Sequence, residues 1–302
     1  MLEITACVAE PDELASLEVY NTVWPHDRVT IGAVRSYWAS AVDHVDYLVR
    51  EDGAIAGSGV GATFAYRPHR VATLITVLAG RRRRGAGTAL YEAISRWASE
   101  RGAGELEVAV ATDDTDSLAV ALGHGFTEDR REVDLVLSLA EASPQEVRLP
   151  AGIEIVTWAQ RPELARGMYE VNLEARPDIP GSEDVTDVSF DDWMTHQMQR
   201  PADSPEATFI ALAGEEVAGY AKLSLFTPAS AGHAITAVKR AWRGRGIASA
   251  LKAAEINWAL ANGYADLHTA NEERNAPIKR LNARLGYRPG IGRIYLVGPL
   301  RA

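Results

Sequence analysis

Val238-Lys-Arg-Ala-Trp-Arg-Gly-Arg-Gly-Ile-Ala-Ser-Ala-Leu251 is the stretch on which the reading of this 302-residue chain turns. The apolar run 234–238 before it has the pattern of a strand end. Ile247, Leu251, Ala254 and Trp258 follow at helical spacing and predict a helix over 247–260. The turn between them is made of Arg and Gly. Gly244 and Gly246 leave the backbone bare, so that successive N–H groups can converge on an anion at a helix N-terminus, where the helix dipole also favours negative charge. Arg243 and Arg245 add forked donors for phosphate-type oxygens. A strand, a bare basic turn and a helix in that order predict a cradle for a pyrophosphate.

A second copy lies 161 residues earlier, Val77-Leu-Ala-Gly-Arg-Arg-Arg-Arg-Gly-Ala-Gly-Thr-Ala-Leu90. At that offset Val77 matches Val238, Arg82 matches Arg243, Arg84 matches Arg245, Gly85 matches Gly246 and Leu90 matches Leu251. The register continues through Trp97 and Trp258, Gly102 and Gly263, Leu106 and Leu267, and Gly125-Phe126 and Gly286-Tyr287. The period is far longer than a solenoid repeat, so a whole domain is duplicated. Residues 1–141 and 151–302 form the two expected domains, and the polar stretch 142–150, with two prolines, the linker.

Each half reads as hairpin strands mixed with helices on both faces, an α+β arrangement. In the first, the expected elements are a strand over 3–9, helices from Glu10 and over 31–42, a hairpin within 47–66 and the cradle strand over 71–79. Helix 88–100, strand 105–111, helix 117–122 and strand 133–139 complete it. The second half repeats this order, with strand 153–157, helix 162–174, hairpin 209–226, cradle strand 233–238, helix 247–262, strand 265–270, helix 276–284 and a last strand over 293–297. About eleven extra residues, the difference between the 151-residue offset of Asn21 and Asn172 and the 162-residue offset of Gly57 and Gly219, fall before the second hairpin. Glu174, Asp178, Glu183, Asp184, Asp187, Asp191 and Asp192 make that region acidic. It reads as an acidic mouth for a cationic amine or, more simply, as a helix start with Ser189 as its cap.

Arg82-Arg-Arg-Gly-Ala-Gly87 and Arg243-Gly-Arg-Gly-Ile-Ala248 both fit Arg/Gln-x-x-Gly-x-Gly/Ala. With the strand before each and Leu285-Gly-Tyr287 after, the sequence resembles the GNAT superfamily of acyl-CoA-dependent N-acyltransferases, here in tandem over nearly the whole chain. The resemblance implies two GNAT-like domains, each with a mixed, mostly antiparallel sheet. It also implies acetyl-CoA as cofactor and N-acetyl transfer to a small-molecule or peptide amine in a ternary complex. In the second half, Thr236, Val238 and Lys239 would line the pantetheine slot and the Val238 N–H would face the thioester carbonyl as oxyanion donor, with Arg243, Gly244, Arg245, Gly246, Ile247 and Ala248 at the diphosphate. Val77, Leu78, Ala79, Arg82, Arg83, Arg84, Gly85, Ala86 and Gly87 are the first-half equivalents. Asn271 and Asn275 resemble the family segment that bonds the CoA arm.

The family's phenol, seven residues after that Asn, is replaced by Asn282, and by Ala121 in the first half. Asn282 can hydrogen-bond the sulfur but cannot protonate it, leaving Tyr287 or Tyr264 as substitutes. His233 is a candidate base near the cradle strand, although strand alternation turns it away from Val238 unless a bulge intervenes. Val110 and Asp114 stand where Asn271 and Asn275 would be, so the second half reads as the catalytic one and the first as degenerate or binding only.

Composition narrows the classes. A formal net charge of −10 with short local Arg clusters argues against a nucleic-acid binder. One cysteine excludes an internal disulfide, no His spacing suggests a metal site, and neither a secretory signal nor a membrane span is visible, so a cytoplasmic protein is expected. Monomer and homodimer both remain open. Gly244-Arg-Gly-Ile-Ala-Ser249 approaches a dinucleotide-binding fingerprint, but Ser249 replaces its third glycine and Asp266 lies at the wrong end of the next strand. A non-catalytic acyl-CoA sensor is the second reading, because the phenol is missing.

Overall fold

The computed structural model describes residues 1–25, 28–178, 188–272 and 275–301, leaving aside the side chains of 272 and 277. These residues divide into two compact units, Met1–Arg130 with Ile294–Ala302, and Arg131–Arg293. The first half of the chain contributes β1 (Leu2–Ala6), α1 (Glu10–Val23), α2 (Ile31–Trp38), β2 (Asp43–Glu51), β3 (Ala54–Phe64), β4 (Arg67–Val77), α3 (Ala86–Glu100), β5 (Glu105–Ala111), α4 (Thr115–Gly123) and β6 (Thr127–Ser138). The second contributes β7 (Ile153–Thr157), α5 (Ala165–Ala175), α6 (Phe190–Trp193), β8 (Asp203–Ala213), β9 (Glu216–Leu225), β10 (Ser230–Val238), α7 (Ile247–Ala261), β11 (Asp266–Glu272), α8 (Ala276–Arg284) and β12 (Arg288–Pro299).

In the first unit the strand order is β1-β2-β3-β4-β5 followed by the end of β12; in the second it is the end of β6, then β11-β10-β9-β8-β7. From β1 to β4, and from β6 to β11 and β10 to β7, neighbours are antiparallel, whereas β4 with β5 and β10 with β11 are parallel. This is the expected mixed sheet, and it has the expected helices on both faces. Odd-numbered β3 positions face α3: a Cβ built on Gly59 would lie 3.1 Å from both Ile94 and Leu90. The even-numbered Asp46 of β2 faces α1, accepting a hydrogen bond from Ser16 Oγ at 2.9 Å. The packing face of α3, with Leu90, Ile94, Trp97 and Ala98 at three- and four-residue spacing, is fully or almost fully buried. Proline and three acids fill the first turn of α1, where no N–H needs a ladder partner and the dipole favours anions.

The unit boundaries differ from the expected 1–141 and 151–302. Residues 132–138 pair with β11, inside the second unit, and residues 294–302 belong to the first. Two copies of one domain carry interchangeable last strands, so the alternation of apolar residues is the same in either position and only the pairing decides. The 142–150 stretch has neither helix nor strand, in keeping with its prolines. Among the described residues no helix is long and apolar enough to cross a membrane.

The returning strand is tightly fitted in the first unit. A Cβ on Gly298 would come within 2.4 Å of the Phe126 ring, and Tyr91 Oη donates to the Pro299 carbonyl at 2.6 Å. Gly298→Ala should therefore cost about 1–3 kcal/mol by overpacking, seen as a lower urea midpoint. An unchanged midpoint would contradict the docking of this strand.

Candidate functional site

The site in each half begins where a parallel pair stops being a pair. β4 is joined to β5 only from Arg70 to Thr73, and β10 to β11 only from Ser230 to Gly232. Beyond those points the cradle strands remain bonded to β3 and β9 alone. The amides of Leu78 and Lys239 donate to the carbonyls of Ala56 and Ala218, at 3.0 and 2.9 Å. Successive backbone groups of a strand point to opposite sides, so the N–H groups of Val77 and Val238 face the opened side. This is the placement expected of the Val238 oxyanion donor, and Thr236 shares its direction.

Both strands then enter the same turn. A short 3₁₀ segment, Ala79–Arg81 or Arg240–Trp242, is followed by an extended Arg82 or Arg243, and then by a glycine at φ 88° or 90°, Gly85 or Gly246, that caps the helix. Only glycine adopts that left-handed conformation without strain. Among the described residues no side chain caps α3 or α7 and no acid lies in either first turn, so their first N–H groups stay free for an anion. Among the described residues a Cβ on Gly244 or Gly246 would meet nothing within 4 Å, which leaves room for a diphosphate. The first Arg of the motif has a different task from the one its charge suggests: Arg82 Nε donates to Val77 O at 3.2 Å and Arg243 Nε to Val238 O at 2.9 Å, stapling the turn to the strand. Arg83 holds a positive φ of 62° where the second half has Gly244.

In the first half the parted strands border a cavity of about 400 Å³ that runs from Arg81, Arg82, Arg83 and Gly85 past Leu74, Ile75 and Val108 to Val110, Ala121 and Phe126. Val110 and Ala121 contribute walls rather than hydrogen bonds. Asp114, which stands where Asn275 would be, has its Oδ1 accepting from Ser117 N at 3.0 Å as the cap of α4. Arg81 and Arg84 are both turned to Glu51, at 2.8 and 3.4 Å.

The second half is more polar. Asn271 and Asn282 are buried and joined to each other, Asn282 Nδ2 donating to Asn271 Oδ1 at 3.1 Å. The Nδ2 of Asn271 is left without a partner among the described residues, as a group awaiting an acceptor such as the CoA arm would be. Asn275 caps α8 through Ile278 N at 3.4 Å, the role Asp114 has in the first half. Lys239 is paired with Glu216 at 3.0 Å, and Arg245 lies over the Trp242 ring with its guanidinium carbon 4.7 Å from the centroid.

Two acids of the extra segment act on the cradle. Asp178 holds Arg240 through two bonds of 2.9 and 3.0 Å and Arg243 at 2.7 Å, and those guanidiniums bring its carboxyl down to about 2. Glu174 accepts from the Arg240 amide at 2.5 Å. Asp191 and Asp192 have the simpler role, since Ser189 caps α6 by accepting from Asp192 N at 3.1 Å. Glu183, Asp184 and Asp187 lie outside the described residues.

His233 lies at a bulge. Its partner on β9 is Leu223, while Ile235 is opposite Lys222, so Ala234 is the extra residue and His233 turns to the same face as Thr236 and Val238. Burial lowers its pKa. Its ring bridges Glu255, at 2.7 Å, and the Tyr287 hydroxyl. Tyr264 instead packs on Trp258, with ring centroids 5.7 Å apart. Sequence reasoning missed Asp178 as a partner of the cradle arginines, and it missed Glu255. Comparing matched positions would have exposed the latter, because Ile94 occupies its place 161 residues earlier. Among the described residues no group of three His, Cys, Asp or Glu could hold a metal ion.

The model of the acetyltransferase (GNAT) family matches residues 12–126 and again 166–287. No curated protein matches the sequence. Among solved structures, a tandem GNAT protein from the clavulanic acid biosynthesis pathway is 22% identical, with a TM-score of 0.79 over 100% of this chain and 99% of its own. A GCN5-related N-acetyltransferase from Sphaerobacter thermophilus is 20% identical, with a TM-score of 0.78 over 100% of this chain and 96% of its own. A glucosamine N-acetyltransferase region of a fungal GH3 β-N-acetylglucosaminidase is 17% identical, with a TM-score of 0.77 over 98% of this chain and 38% of that one. At these identities the likeness is one of fold, and it spans both halves.

Gly85→Glu and Gly246→Glu each place bulk and negative charge in one cradle. In calorimetric titrations with acetyl-CoA, each single variant is expected to keep the opposite site and the double variant to bind none. Unchanged affinity in the double variant would contradict the cradle assignment.

Proposed function

The chain belongs to the acetyltransferase (GNAT) family, and we propose that it moves an acetyl group from acetyl-CoA to a primary amine of a small molecule or peptide by direct attack in a ternary complex. The observation that carries this reading is the opened strand edge that ends in an uncapped, glycine-led helix start, built twice in one chain. An acyl-CoA has the matching form: an amide-bearing arm for the free strand edge and a diphosphate for the free helix amides.

In the second half, Thr236, Val238 and Lys239 line the slot, and the amides around Arg245, Gly246, Ile247 and Ala248 hold the diphosphate. Asn271 offers its spare N–H to the arm. The Val238 N–H stabilises the oxyanion as the amine attacks, a contribution of the kind worth about 10²–10³ in rate. The polar residues around this slot support it as the catalytic half, while the apolar cavity of the first half holds cofactor without the same means of transfer. Arg240 and Arg243 reach the diphosphate only as Asp178 yields them. The acidic residues near this cradle give a slight preference for cationic amines.

Val238→Pro deletes one N–H that no ladder bond uses. It is expected to lower thiol release from acetyl-CoA about 10²–10³-fold while affinity for acetyl-CoA changes little, across a panel of polyamines, aminoglycosides, amino acids and peptides. Wild-type release by this variant would contradict the oxyanion role. Saturable acetyl-CoA binding by the unmodified chain, with no release across the panel, would instead establish the sensor reading.

A further inference from the structure

We infer that Glu255, His233 and Tyr287 form a proton relay at the floor of the second slot, in which Glu255 is a positioning residue that orients His233 for the Tyr287 hydroxyl. The inference rests on the reading of that slot given above and supplies the proton route that the missing phenol leaves open.

The first observation is position. Gly232 is the last residue of β10 paired with β11, so His233 stands where the strands part, and the bulge at Ala234 gives it the face of Thr236 and Val238. The second is connectivity. Glu255 Oε2 lies 2.7 Å from His233 Nδ1, and His233 Nε2 is bonded to the Tyr287 hydroxyl. A carboxylate on Nδ1 fixes the proton there and leaves Nε2 as an acceptor, so Tyr287 donates to it. Burial keeps the phenol protonated and the imidazole neutral, which is the resting state such a relay needs.

The third observation is that the fold does not require these polar groups. Burying ionisable side chains costs several kcal/mol each before compensation, yet His233, Lys252, Glu255 and Tyr287 are all almost fully enclosed. At the 161-residue offset, Tyr91, Ile94 and Phe126 replace Lys252, Glu255 and Tyr287 in the first unit and pack in its apolar core. The same architecture therefore stands without an acid at this point. Lys252, on α7 beside Glu255 with its ammonium 5.7 Å from the Tyr287 ring centroid, is a further charged group facing the pair. Burial brings it down to about 8. Leu223 of β9, opposite His233, is apolar.

The step balances. The amine nitrogen bonds to the thioester carbon and the carbon–sulfur bond breaks. The amine proton passes to Tyr287 Oη as the tyrosine proton moves to His233 Nε2, giving an imidazolium held against Glu255. The reverse transfer then delivers a proton to the leaving thiolate, and CoA departs as the thiol with all three side chains restored.

The test uses the full chain carrying Gly85→Glu, labelled with ¹⁵N-histidine, with His233 assigned by its loss in His233→Gln. His233 is expected as the neutral Nδ1–H tautomer at neutral pH, the direction in which burial moves it, with different nitrogen shifts for the acetyl-CoA and CoA complexes. Glu255→Ile, the residue found at the matched position, should release the tautomer into a mixture. Binding of acetyl-CoA with His233 signals identical to those of the CoA complex would overturn the relay, as would an unchanged tautomer in Glu255→Ile. Failure of this chain to bind acetyl-CoA would overturn the slot reading itself, and the relay with it.

Discussion

The structure depends on one incomplete pairing. A parallel strand pair that parts after three or four residues leaves a line of N–H and C=O groups that would cost about 1–3 kcal/mol each if buried without partners, and the rest of the site is arranged around that edge. On the far side, the bulges at Ala56 and Ala218 direct a carbonyl to the amide just beyond the cradle strand. A Cβ on Gly57 or Gly219 would stand 2.5 or 2.7 Å from a carbonyl of that strand, so both positions accept glycine alone at this spacing. At the strand end, Arg82 or Arg243 binds the last carbonyl and fixes the turn that presents the helix amides. Each device recurs in both halves.

Against that shared frame the two slots diverge in chemistry. Residues 110 and 121 make the first an apolar cavity, while their counterparts Asn271 and Asn282 make the second a buried amide pair. Core positions held by Ile94 and Phe126 become Glu255 and Tyr287. Ala79 becomes Arg240, which lets Asp178 grip the second cradle. Duplication thus leaves one copy with apolar walls and gives the other ionisable groups, a division consistent with binding in one half and transfer in the other.

Much of this was legible in the sequence because it follows from local rules. The glycines of the two motifs mark a bare turn before each helix, and helical spacing over 247–260 marks the packing face of α7. The 161-residue register multiplies the force of both. The exchange of the last strands was not legible, since duplicated strands have the same alternation wherever they pair. The facing of His233 depended on one extra residue at Ala234, and nothing in a run of small apolar residues marks which of them is bulged. Asp178 reached Arg240 from 62 positions away. Such a contact is set by the path of the chain and not by any local pattern.

In the proposed function, amides at two glycine-led turns hold a coenzyme diphosphate beside an unpaired strand edge. A crystal structure of the chain grown with acetyl-CoA tests it most directly. Diphosphate oxygens are expected within hydrogen-bond distance of the amides following Arg84 and Arg245, with the coenzyme arm along Val77 or Val238. Acetyl-CoA bound elsewhere, with both turns closed on protein neighbours, would contradict it.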